Sequence, residues 1–71
     1  MEKYKIITEK RKELEQGRKT VYLAEKIGIS RTYLSYILNG GLNIKEDLAQ
    51  RIVNVCLDSK SVSFKKFFTK V

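Results

Sequence analysis

Residues 20–40, Thr20-Val21-Tyr22-Leu23-Ala24-Glu25-Lys26-Ile27-Gly28-Ile29-Ser30-Arg31-Thr32-Tyr33-Leu34-Ser35-Tyr36-Ile37-Leu38-Asn39-Gly40, decide how this chain is read. Leu23, Ala24 and Ile27 recur on one helical face, which predicts a helix over about 20–27. Gly28 follows at the point where a helix end favours a residue of positive φ. Ile29 then supplies an apolar plug, and Ser30 is the expected N-cap of a second helix over about 31–38. Leu34, Ile37 and Leu38 face inward on that helix, and Asn39-Gly40-Gly41 closes it with a strong turn signal. Ala24 is small where the two helices approach. Two short helices joined by so tight a corner cross steeply, which lets the second protrude. Its outer side is left with Arg31, Thr32, Ser35, Tyr36 and Asn39. Every local signal favours the same geometry.

Working outward, Tyr4, Ile7, Arg11 and Leu14 form one stripe of a segment rich in Glu, Lys and Gln. This predicts a helix over about 2–16, ended by Gly17. Downstream, Leu48, Ala49, Ile52, Val53 and Cys56 predict a helix over about 44–57. Asn43 and Glu46 match the reciprocal capping pattern at its start. Phe64, Phe67 and Phe68, spaced i, i+3, i+4, predict a short fifth helix after Ser61. The chain contains no proline. The expected fold is therefore all-α: a bundle of four to five short helices in a single domain spanning 1–71. Residues 59–71 are expected to form a packing or dimerisation tail.

Composition narrows the function. Hydrophobic residues make up 42% of the 71 positions against 32% charged, a globular balance. A chain this short hides only roughly 60% of its unfolded surface, so a deep catalytic cavity would compete with the core for the same side chains. There is no histidine, and Cys56 is the lone cysteine, so zinc-finger chemistry, thiol–imidazole catalysis and an internal disulfide are excluded. Cys56 reads as a buried structural thiol. No enzyme activity, metal, cofactor or small-molecule ligand is expected. No apolar run approaches about 18 residues and no leader is recognisable, so the expected address is the cytoplasm, without a membrane partner.

The net charge is +7 and its placement is uneven. Residues 1–17 carry five basic and four acidic side chains, close to balance. Residues 18–45 carry Arg18, Lys19, Lys26, Arg31 and Lys45 against Glu25 alone, and residues 59–71 carry Lys60, Lys65, Lys66 and Lys70 with no acid. Localised basic patches of this kind attract polyanions.

On Leu23-Ala24, Gly28-Ile29-Ser30, Ser35, Ile37 and Gly40, the sequence resembles the helix-turn-helix family of phage repressors and Cro proteins, a lambda-repressor-like fold. The likeness covers roughly the middle third of the chain, and the flanking helices fit the family layout more loosely. It implies a sequence-specific regulator of transcription that binds double-stranded DNA, a repressor or Cro-like protein of a phage or mobile element acting by operator occlusion. Carried over position by position, it places Arg31, Thr32, Ser35 and Tyr36 against base edges. It places Arg18, Lys19, Thr20, Asn39 and Lys45 against the DNA backbone. Phe64, Phe67 and Phe68 would then serve both the core and a homodimer formed at least on DNA. Arginine suits the leading position because it can donate two hydrogen bonds to guanine O6 and N7. The sequence departs from the family where Leu38 replaces the glutamate that pairs with a first-helix arginine, which implies apolar packing in place of that ion pair. Lys45 is the first base after the closing glycines. An alternative keeps the fold as a protein-interaction module, of antitoxin or anti-repressor type. Its sign would be apolar residues at the outward positions, where Arg31, Thr32 and Ser35 stand instead.

Overall fold

Both central helices form where the sequence predicts them in the computed structural model, which describes residues 2–71. The chain runs through strand β1 (Tyr4–Ile6), a 3₁₀ turn at Thr8–Lys10, and helices α1 (Arg11–Glu15), α2 (Thr20–Ile27), α3 (Arg31–Leu38) and α4 (Glu46–Cys56). A second 3₁₀ turn at Phe64–Lys66 and strand β2 (Phe68–Lys70) follow. The corner between α2 and α3 is built by Gly28, at φ +92°, whose N–H donates to the Ala24 carbonyl at 2.8 Å. The Ile29 N–H donates to the same carbonyl at 3.1 Å. A Cβ on Gly28 would stand 3.2 Å from Arg51 Nη2, the end of a flexible side chain, so it is the positive φ that favours glycine here. Ser30 caps α3 as its sequence position implies: its Oγ accepts from the Tyr33 N–H at 3.1 Å.

Both ends of the chain depart from helix. The expected helix over 2–16 is replaced by β1, the first 3₁₀ turn and the short α1. Tyr4 and Ile6 alternate onto one buried face, and β1 pairs antiparallel with β2 in the register Tyr4↔Lys70, Lys5↔Thr69, Ile6↔Phe68. On its other side Tyr4 exchanges backbone hydrogen bonds with Ile44 at 2.7 and 2.8 Å. That exchange also corrects the start of α4. Ile44 is held in extended conformation, so the helix cannot begin before Glu46; Lys45 occupies the N-cap, with no side-chain capping bond, and Asn43 caps nothing. Glu46 and Asp47 instead stabilise the first turn by complementing the helix dipole.

The fifth helix expected after Ser61 is likewise one 3₁₀ turn leading into β2. Phe64, Phe67 and Phe68 are all buried, with Phe64 edge-on to Tyr4 at 4.8 Å between ring centroids. Gln50 on α4 holds this tail down. Its amide donates to the Val62 carbonyl at 2.8 Å, and its Oε1 accepts from the Phe64 N–H at 3.2 Å. One core results, in which Leu14, Leu23, Ile27, Leu34, Ile37, Leu38, Ile52, Val53 and Cys56 are fully enclosed and the ribbon closes one side. α2 packs against both α3 and α4. No helix among the described residues is long and apolar enough to cross a membrane.

Candidate nucleic-acid interface

α3 is pinned from beneath by Leu34, Ile37 and Leu38, each fully buried, and that leaves the opposite side to solvent. Arg31 and Thr32 are exposed on its first turn, Tyr36 is 57% exposed one turn later, and Ser35 is half-buried between them. Lys19, Thr20 and Val21, at the start of α2, form the facing wall, and together these residues line an open groove of about 550 Å³. Lys19 stands at the N-cap of α2 in extended conformation and its side chain makes no capping bond. The first-turn N–H groups of α2 are thus left without a side-chain acceptor, beside the Lys19 ammonium. Such a helix start suits an anionic oxygen. The groove holds two basic side chains, four hydroxyls and no carboxylate.

Six of the residues singled out from sequence meet here: Lys19, Thr20, Arg31, Thr32, Ser35 and Tyr36. Val21, 46% exposed, was not among them. Its place opposite the buried Leu23, Ala24 and Ile27 face follows from helical spacing, but its turning towards α3 depends on the crossing of the two helices. The structure does not bring Arg18 or Lys45 into this groove. Arg18 lies in a separate concavity beside α4, and Lys45 borders one lined by Glu2, Tyr4, Glu46 and Asp47. Asn39, at the C-cap of α3, is exposed, and its side-chain oxygen accepts from Arg11. Arg11 also bridges Glu15 at 2.7 Å. With Leu38 buried in place of the family's glutamate, the first-helix arginine still reaches the end of α3, through the neighbouring asparagine. Phe64, Phe67 and Phe68, at 4%, 4% and 2% exposure, belong wholly to the protein's own core, so their rings offer no face to a second copy. Burial drove that outcome: each ring contributes more when enclosed than when held at a solvated surface.

A family model described as helix-turn-helix matches residues 7–56, from just after β1 to the last residue of α4. The chain belongs to the helix-turn-helix family of Cro and repressor type. This helix-turn-helix protein is accordingly a DNA-binding transcription regulator, and its partner is double-stranded DNA. Both strands of the ribbon lie outside the matched segment, β1 before it and β2 after it. No curated protein and no solved structure matches the helix-turn-helix chain significantly.

Proposed function

We propose that the protein is a sequence-specific repressor or Cro-like regulator of a phage or mobile element, acting in the cytoplasm by covering an operator against polymerase. The observation that carries this reading is the convergence of Arg31, Thr32, Ser35 and Tyr36 on one exposed groove without a carboxylate. Arg31 donates a pair of hydrogen bonds to a guanine edge, a discrimination worth about 1–3 kcal/mol. Thr32 and Val21 offer methyl groups to the C5-methyl of thymine, the apolar feature of the major-groove edge. Ser35 and Tyr36 reach bases or sugars one turn further along. Lys19 and the first turn of α2 hold a phosphate, and Asn39 holds another from the far end of α3.

Two copies on a palindromic site would set two α3 helices into successive major grooves about one DNA turn apart. The contact between copies would use surface other than the three phenylalanines. Control then resides in protein concentration and competition for the operator. The test is selection of bound duplexes from random DNA, followed by Arg31→Ala and Lys19→Ala. Arg31→Ala relaxes the preference at one base pair and costs about 1–3 kcal/mol there. Lys19→Ala weakens all sequences alike and lowers the salt slope by about 1. Unchanged affinity and unchanged selected sequence in Arg31→Ala would remove α3 as the reading element.

A further inference from the structure

A second open groove, of about 570 Å³, runs between the outer flank of α2 and the C-terminal end of α4. Its charged lining is Arg18, Lys26 and Lys60 against the single carboxylate of Asp58. Tyr22 lies between Arg18 and Lys26 on the α2 side, with the Lys26 ammonium 5.7 Å from its ring centroid. None of these three cations takes part in a salt bridge among the described residues; the ion pairs there are Lys10–Glu13, Arg11–Glu15 and Lys70–Glu2. Arg18 is half-buried: its Nε approaches the Glu15 carbonyl at 3.4 Å, and its Nη2 is enclosed with no hydrogen-bond partner. A guanidinium nitrogen removed from water without an acceptor is costly, and an anionic oxygen would relieve that cost.

The placement joins this groove to the first one. Arg18 and Lys19 are adjacent in sequence, yet Arg18 lines the second groove and Lys19 the reading groove. The N-terminal end of α2 is therefore a ridge with a basic trough on either side. A duplex seated on α3 brings one sugar-phosphate strand onto that ridge.

We propose that the second groove carries the sugar-phosphate backbone of DNA flanking the base-read segment, so that the bound length exceeds the length read. This rests on the DNA-regulator reading above. It adds Lys26, Lys60 and Tyr22 to the contact surface, with Lys26 and Lys60 neutralising phosphates and Tyr22 packing against the sugars. Charge complementarity names the occupant, since a duplex presents one negative charge per roughly 1.7 Å of axis to an unpaired cationic trough.

The test compares the full chain with Lys26→Ala/Lys60→Ala on two duplexes of the selected sequence. One is trimmed to the selected bases, and the other extends by random sequence on both sides. Lys26 and Lys60 are exposed, so circular dichroism should show the fold retained. The expected result is a loss on the order of ten-fold in affinity for the extended duplex, with the salt slope reduced by about 2. Affinity for the trimmed duplex and the selected bases should not change, and Lys26→Arg/Lys60→Arg should restore binding. If the double variant matches the parent on the extended duplex in affinity and slope while Arg31→Ala still alters base choice, the groove is not a DNA track. An acidic protein surface is then its better match, and the reading of α3 stands. If the parent itself binds neither duplex, both inferences fall.

Discussion

Cys56 shows how strongly a single position can report on the fold. It is fully buried on α4, and burial pushes its thiol up from 9.0 to about 11, with the nearby Arg18 charge opposing the shift and Glu15 adding to it. Below pH 9 the thiol is neutral in both the folded and the unfolded chain, so it adds no pH dependence. Between pH 9 and about 11 the unfolded chain ionises while the folded chain keeps its proton, and stability falls as pH rises. Unfolding free energy measured by urea titration should decline by up to about 3 kcal/mol more in the parent than in Cys56→Ala across that window. At neutral pH the thiol should resist a water-soluble disulfide reagent until the chain unfolds. At this scale the sequence was readable wherever a side chain's role follows from its own helix. Arg31, Thr32 and Tyr36 are exposed because Leu34, Ile37 and Leu38 are not. Arg18 lies outside the reading groove because the flank of α2 that it borders is set by the packing of α4, which no local spacing encodes.

Among the elements, the corner between α2 and α3 was legible because each signal is local: an αL glycine, a hydroxyl cap three residues before the N–H it accepts, and apolar residues at helical spacing. Gly28→Ala should lower stability by about 1–2 kcal/mol, the cost of placing a side chain in the left-handed region. Arg51 is the group the new methyl meets, and the end of its flexible side chain can shift. A fall in the urea midpoint at unchanged m-value would confirm this, whereas no change would mean that the corner is not held at that φ. β1 and β2 were not legible for the converse reason. Each is three residues long, too short for a two-residue period to stand out, and each is made a strand by a partner at the other end of the chain. Glu and Lys around β1 favour helix locally, but pairing with Phe68–Lys70 and Ile44 satisfies the backbone and buries Tyr4 and Ile6. Ile44, once taken into that pairing, moved the start of α4 away from Asn43.

For the molecule as a whole, the phenylalanines illustrate a correct core drawn from a wrong element. Spacing i, i+3, i+4 identified three residues that share a side, and they do; a 3₁₀ turn followed by a strand presents them as well as a helix would. Their enclosure makes the last eight residues part of the fold's foundation. Phe68→Ala, at a site 2% exposed, should cost about 3–5 kcal/mol. In a domain this small that lowers the melting temperature by at least about 12 °C. Lys70→Ala should change it little, because the 2.7 Å pair with Glu2 joins two exposed side chains. Equal effects of the two substitutions would mean that the tail is not docked on the core.

The Val71 N–H donates to the Lys3 carbonyl at 3.0 Å, so the first and last described turns of the chain lie side by side. Topologically the molecule is nearly a closed loop. A foreign segment spliced onto either end would depart from the same point, and the whole unit could be seated inside another protein's surface loop without stretching that host apart.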